Sequence, residues 1–103
     1  MKLENYQILN INNVLQDLIN EKLVGSFRFK LYHNKMKLEE VINPIIESVR
    51  EEEDEDERLK IMHTEQVINI IPFTEQEIYD VPLSVVQLME LKPILEGDNN
   101  DEV

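Results

Sequence analysis

The sequence predicts an α+β fold that is mostly α-helical, with a helical hairpin whose second helix is long, one short C-terminal strand element and a short closing helix. Two observations predict this class. Apolar residues recur every three or four positions through the first half of the chain, and a cluster of β-branched and aromatic residues follows at 66–73. A chain of 103 residues suffices for one small domain. We expect this domain to span 1–96, followed by a disordered acidic tail at 97–103.

The first helix is predicted from one apolar stripe. We expect it to start at residue 6 or 10, after a short extended lead-in at 1–5, and to run to residue 23. Asn5 or Asn10 is suited to cap its start, and Gly25 is suited to end it. The stripe consists of Ile8, Ile11, Leu15, Leu18 and Ile19.

The second helix is predicted to begin at Ser26, which is a favourable N-cap residue. Because the connection at 24–26 is short, we expect the two helices to form an antiparallel hairpin. Pro44 lies inside this stretch, where it should kink or interrupt the helix. The apolar residues at helical spacing are Phe27, Leu31, Leu38, Val41, Ile42, Ile45, Ile46 and Val49.

Seven consecutive acidic residues follow, from Glu51 to Glu57. Two local structures are open for this run: a solvated loop, or the far end of the second helix. Basic residues that come four positions after an acid, as in Asp54 with Arg58 and Asp56 with Lys60, favour the helix by about 0.2–0.5 kcal/mol per pair. Repulsion among neighbouring carboxylates opposes it. We expect the helix to continue through the run with fraying.

A short strand is predicted over Gln66–Phe73, where β-branched residues are concentrated and Pro72 disrupts the end. A strand needs a partner, and two segments are candidates. One is the lead-in at Lys2–Glu4, and the other is Glu77–Val81. The sequence contains no turn signal that decides between them.

The closing helix has the clearest start signal in the chain. Ser84 and Gln87 have the spacing of a capping box, and Leu83 and Leu88 occupy the positions of a hydrophobic staple. Pro93 is expected to end this helix.

The composition argues against most catalytic and cofactor chemistry. The chain has no cysteine, which excludes disulfides and thiolate metal sites, and its two glycines are too few for a phosphate-binding glycine loop. His33 and His63 have no partner at ligand spacing, so we expect two exposed or hydrogen-bonded imidazoles and no metal site. We therefore expect a protein that is not an enzyme and that carries no cofactor.

The net charge of −12 disfavours direct contact with nucleic acid and with membranes, because phosphate backbones and anionic lipids repel such a chain. In addition, no apolar run approaches the roughly 20 residues that span a bilayer, and the start lacks the pattern of a signal peptide.

The charge is divided unevenly, since residues 1–50 carry a net +1 and residues 51–103 a net −13. One interpretation of the acidic run is a solvated face that keeps the protein in solution. The other is a surface that docks on a basic partner protein, where a line of carboxylates imitates the phosphates of a nucleic acid. The predicted partner-binding residues are Glu51, Glu52, Glu53, Asp54, Glu55, Asp56 and Glu57.

A smaller basic cluster lies near the start of the second helix. On a continuous helix from Ser26 to Lys60, this cluster and the acidic run would be roughly 30 Å apart at 1.5 Å per residue. Two antiparallel copies would then place each basic end beside an acidic end, which predicts a homo-oligomer, in the first place a dimer, that weakens as salt rises. The predicted self-association residues are Arg28, Lys30, Lys35 and Lys37.

Three segments of the chain resemble a family of small uncharacterised phage and prophage proteins from low-GC Gram-positive bacteria. They are INNVLQDLINEKL at 11–23, NKMKLEEVINPIIE at 34–47 and LMELKPILE at 88–96. The resemblance implies a phage origin and, with it, a location in the cytoplasm of the infected or lysogenic bacterium, or in the virion. It implies no activity and no functional residues, and the acidic run departs from its pattern.

Two functions are consistent with these observations. The first is a small acidic phage accessory protein that binds another protein, for example to inhibit a host factor that acts on nucleic acid or in defence. The second is a virion structural or assembly component that works through self-association.

Overall fold

The computed structural model describes residues 1–23 and 25–96. Within these ranges the chain forms five α-helices, one 3-10 helix and a two-stranded antiparallel sheet, so the mostly helical α+β class is confirmed. The expected acidic tail at 97–103 lies outside the described residues. The elements in chain order are β1 (Lys2–Glu4), α1 (Asn5–Leu18), α2 (Gly25–Glu51), α3 (Glu55–Met62), β2 (Glu65–Val67), α4 (Glu75–Ile78), α5 (Val85–Leu91) and the 3-10 helix (Lys92–Ile94).

The start of α1 differs from the prediction because the side chain of Asn5 bonds other segments and does not cap the helix. Asn5 is buried inside the helix, where its side-chain amide donates to the carbonyl oxygen of Ile61 at 2.7 Å and its oxygen accepts from Gln66 at 2.7 Å. Glu4 precedes the helix instead, and its backbone N–H donates to the side chain of Gln7 at 2.9 Å. The side chain of Asn5 thus ties the start of α1 to the region of α3 and β2.

The end of α1 also comes earlier than expected, at Leu18 rather than at residue 23. The N–H of Ile19 bonds to the carbonyl of Gln16, and the N–H of Glu21 to that of Leu18, so tight three-residue turns end the helix. Gly25 does not end α1 but opens α2, with a φ of 69° that a residue with a side chain rarely adopts.

Helix α2 runs through Pro44 to Glu51, so the expected interruption is wrong. Pro44 is exposed, and the proline costs the helix one backbone hydrogen bond that the packing of the opposite face outweighs. That face buries Phe27, Leu38 and Ile45 against α1 and the chain that follows β2.

The strand is shorter than predicted, because β2 covers only Glu65–Val67. It pairs with β1, with Leu3 opposite Gln66, which confirms the lead-in as its partner. The alternative at 77–81 is wrong, since that segment contains the end of α4 and a turn.

After β2 the chain enters the core without strand pairing. The side chain of Asn34, which is fully buried, accepts from the N–H of Ile71 and donates to its carbonyl, each at 2.9 Å. Phe73 stacks on Phe27 with ring centroids 4.7 Å apart and makes one parallel bridge to Leu95. An amide side chain therefore satisfies the peptide groups that a neighbouring strand would otherwise bond.

The start of α5 agrees with the prediction. Gln87 donates its N–H to the hydroxyl of Ser84 at 3.1 Å, and Ser84 donates its N–H to the side chain of Gln87 at 2.9 Å. The helix ends at Leu91 and a 3-10 turn containing Pro93 follows.

Candidate functional site

The acidic residues Glu51–Glu57, which we call the acidic corner, span the last residue of α2, the turn at 52–54 and the start of α3. The expected continuous helix is wrong here, because residues 52–54 are not helical. Asp54 caps α3 by accepting the N–H of Asp56 at 2.9 Å, and Glu52 accepts the N–H of Asp54 at 3.1 Å. Carboxylates next to the positive end of a helix dipole stabilise that end, which is why α3 starts within the run.

Arg50, Arg58 and Lys60 flank the acidic corner, but within the described residues only one of them pairs with a corner carboxylate. Lys60 pairs with Glu57 at 3.0 Å, in an exposed ion pair. Arg58 donates to the backbone carbonyl of Glu52 rather than to a carboxylate. Among residues 1–23 and 25–96, the six other carboxylates of the corner make no salt bridge, and all of the seven residues except the half-buried Glu52 are exposed. The corner is a dense negative surface whose charges point into solvent.

Two of the four residues of the predicted basic cluster, Lys30 and Lys35, face inward. Lys35 is buried, and its ammonium donates to Asn12 on α1 and to Glu39, each at 2.8 Å. Lys37 lies 3.6 Å from Glu40. Arg28 is exposed on α2. The structure therefore spreads the four basic residues over inward-facing and outward-facing sides of α2.

Lys30, the fourth member, belongs to a network that holds α4 against α2. Its ammonium lies 2.8 Å from a carboxylate oxygen of Glu77 and 3.0 Å from the carbonyl oxygen of Pro72. Ser26, the expected helix cap, donates its hydroxyl to the same carboxylate. Burial disfavours the charge on Glu77, but hydrogen bonds from Lys30, Ser26 and Thr74 outweigh it and lower the pKa of this carboxyl to about 2.

Two groups of exposed apolar residues stand out among the described residues. One is a stripe on the outer face of α2, formed by Phe29, Tyr32 and Met36. The other lines an open groove between α4 and α5, which sequence reasoning missed. The composition of α5 could have indicated this groove, because five of its seven residues are Val, Leu or Met. In the structure, Leu91 is the buried one among these five.

The two histidines make local contacts. The imidazole of His33 lies 3.0 Å from the carbonyl oxygen of Asn69. That of His63 lies 3.1 Å from Glu4 and packs edge-on against Tyr6, with ring centroids 5.3 Å apart. The predicted hydrogen-bonded imidazoles are thus confirmed. Within the described ranges, no group of three or more histidine, aspartate or glutamate side chains is arranged to hold a metal ion.

Comparison with family models, with curated proteins and with solved structures finds no match to this chain. In the part of the chain that the structure describes, no helix combines the length and the apolar character that crossing a membrane requires.

Proposed function

We propose that this protein works by binding another protein, and that the acidic corner Glu51–Glu57 contacts a basic surface on that partner. The observation that supports this most strongly is the set of six corner carboxylates that make no salt bridge within the described residues, at an exposed turn between two helices. Uncompensated charge of one sign attracts the opposite charge over about 8–10 Å at physiological salt and raises the rate of encounter.

The chemistry of the corner favours a partner that normally binds nucleic acid. A groove built for phosphates carries lysine and arginine side chains, and carboxylates pair with them as phosphates do. With the resemblance to phage and prophage proteins, we propose that this contact inhibits a host factor in the cytoplasm of the infected bacterium. The corner would occupy the groove and exclude the nucleic acid.

The test is affinity capture from the lysate of a low-GC Gram-positive bacterium, with two matched double variants. Glu51→Lys with Glu53→Lys alters the corner without touching the capping residues Asp54 and Glu52. Glu21→Lys with Glu65→Lys changes exposed carboxylates elsewhere. Each pair shifts the net charge from −12 to −8, so any difference between them reports position and not total charge.

We expect a host protein that acts on nucleic acid to bind the wild type and the control pair, to be lost with the corner pair, and to be displaced by duplex DNA. Equal capture by both pairs would show that the corner is not the contact.

A second function, self-association in a virion component, is favoured by the apolar stripe on α2. If two copies pack with their α2 helices antiparallel and a two-fold axis level with Asn34, Tyr32 of one copy lies beside Met36 of the other. The same register brings Arg28 near Glu40 of the second copy. The stripe is exposed in the single chain, with Tyr32 64% and Met36 48% accessible. A contact of sulfur with an aromatic ring is favourable by about 0.3–1.5 kcal/mol.

Light scattering separates this function from the first. A dimer that dissociates in Met36→Glu supports packing through the stripe, and a mass that falls with salt supports the contribution of Arg28. A monomer at all salt concentrations rules out self-association.

A further inference from the structure

We propose that the groove between α4 and α5 binds a cationic amphipathic helix of another protein. This site is separate from the acidic corner, so the inference does not depend on the function proposed above. The groove has a volume of about 730 Å³ and lies open to solvent. Its walls include Ile78 of α4, Leu83 of the α4–α5 connection, Leu88 of α5 and Leu95 of the chain that follows.

Several of the apolar side chains that line the groove are strongly exposed to solvent. Of the residues that line it, Tyr79 is 83% accessible and Met89 68%, and Leu88 is exposed as well. Single exposed apolar residues are ordinary, but a contiguous group is typical of a binding surface. Leu88 and Met89 are presented by the regular helix α5, and such a surface suits apolar anchors that recur every three or four residues on a partner helix.

The charge around the groove selects a cationic partner. Glu75 and Glu96 lie in its lining with one lysine, Lys92. Glu90 lies on the other side of α5, in a hollow that Met89 shares with the groove. An apolar floor with a mainly acidic rim complements a helix that has leucine-like anchors and flanking lysine or arginine.

Tyr79 supplies a place for one such cation. Its ring borders the groove and also a shallow hollow formed with Glu75 and Asp80. A guanidinium or ammonium group in this hollow would meet the face of an aromatic ring and two carboxylates together, an arrangement that is favourable for cations.

Two other occupants fit less well. A second copy that docked by the same face would bring the carboxylates Glu75, Asp80 and Glu96 close to the same three carboxylates of the other copy. The segment after Glu96 carries three acidic residues and a single apolar one, Val103, so it lacks both the charge and the anchors.

The groove is held in shape before any partner arrives. Thr74 and Glu77 form a reciprocal capping box at the start of α4, and the ion pair of Glu77 with Lys30 fastens α4 to α2. Ser84 and Gln87 cap α5 in the same way, and Gln87 also donates to Asp17 on α1 at 3.1 Å. A preformed site avoids part of the entropy cost of binding.

The experiment is a fluorescence-anisotropy titration of the full chain against a labelled synthetic 18-residue helix, with leucine on one face and lysine on the other. Two control peptides accompany it: one replaces the leucines by alanine, and the other replaces the lysines by glutamate. We expect the leucine–lysine helix to bind at least tenfold more tightly than either control, because the groove requires both anchors and positive charge.

Matched variants then locate the site. Met89→Glu lies in the groove, and Leu59→Glu introduces the same charge at an exposed apolar residue of α3. We expect Met89→Glu to weaken binding at least tenfold and Leu59→Glu to change it less than twofold. Tyr79→Ala should weaken binding of the leucine–lysine helix by several-fold.

Three results obtained with the peptide would overturn the proposal. They are equal binding of the alanine control peptide, equal weakening by Met89→Glu and Leu59→Glu, and amide chemical-shift changes confined to Glu51–Glu57 when the peptide is added to isotope-labelled protein. A dimer that dissociates on Met89→Glu would also overturn it, in favour of a second copy as the occupant. If the peptide binds in the groove while lysate capture fails, the groove inference stands and the function proposed for the acidic corner falls.

Discussion

We predict that Glu77→Gln destabilises the fold by about 3 kcal/mol at neutral pH. The carboxylate of Glu77 accepts from Lys30 at 2.8 Å and from the N–H of Thr74 at 2.8 Å, and also from the hydroxyl of Ser26. These bonds lower its pKa from the ordinary 4.5 to about 2. At 1.36 kcal/mol per pKa unit, this difference stabilises the folded chain by about 3 kcal/mol. The side chain is only 12% accessible, so solvent screens the network weakly.

The sign of the pH dependence follows from the lowered pKa. Since the unfolded chain binds this proton near pH 4.5 and the folded chain only near pH 2, the stabilisation is complete above about pH 4.5 and is lost as the pH falls toward 2. The wild type should therefore lose stability through this window, and Glu77→Gln should show a flatter profile. The two proteins should become similar in stability near pH 2.

Urea denaturation followed by far-ultraviolet circular dichroism measures this effect. With a denaturant slope of about 1.5 kcal/mol per molar, the midpoint at pH 7 should fall by about 2 M. Glu75→Gln is the matched control, because it removes an exposed carboxylate from the same helix. Equal midpoints for the two variants, or an unchanged pH profile in Glu77→Gln, would refute the role of this network.

Three further changes test α2, on which all three residues lie. Asn34→Ala should cost about 2–4 kcal/mol in urea denaturation, because it leaves both peptide groups of Ile71 without the partners they have now; a loss below 1 kcal/mol would mean that water replaces the amide. Leu38→Ala, at a fully buried position, should cost about 2–5 kcal/mol, and a small loss would contradict the packing of α2. Pro44→Ala should raise stability by roughly 2 kcal/mol because it restores a helical hydrogen bond at an exposed site, and a lower melting temperature would show that the proline shapes α2.

Periodicity identified the elements whose apolar faces are buried. Of the five residues of the predicted α1 stripe, four are in the core, namely Ile8, Ile11, Leu15 and Leu18. The fifth, Ile19, lies beyond the end of α1 and is 47% exposed, so this part of the prediction is wrong. The spacing of Ser84 and Gln87 located the start of α5 because a capping box is a local interaction of side chains with nearby backbone. The same spacing is present at Thr74 and Glu77, where it marks α4.

Long-range contacts explain most of the errors. Nothing near Asn5 in sequence indicates that its amide bonds Ile61 and Gln66. Because of these bonds, the side chain of Asn5 does not cap α1. Asn34 similarly bonds both peptide groups of Ile71 in place of a neighbouring strand, and no local pattern in the sequence indicates this contact. In the acidic corner, the capping geometry of Asp54 breaks the helix that the spacing of acids and bases favoured.

The two charge clusters also separate what the sequence shows from what depends on the fold. Composition located both clusters, but only the fold decides which charges face solvent. Lys30 and Lys35 have partners on other elements, which come from α4 and α1. The carboxylates of Glu51 and Glu53 are exposed. The groove between α4 and α5 exists only because these segments pack next to each other in the folded chain. The sequence alone shows only that α5 has more apolar residues than it can bury.

The central claim is that the acidic corner binds a basic partner protein, and its salt dependence tests this most directly. The affinity of the captured host protein should be measured against increasing sodium chloride, for the wild type and for Glu51→Lys with Glu53→Lys. The account predicts that the wild-type affinity falls steeply with salt, and that the variant binds weakly at low salt with a shallower dependence. An affinity that is independent of salt and equal in the two proteins would contradict it.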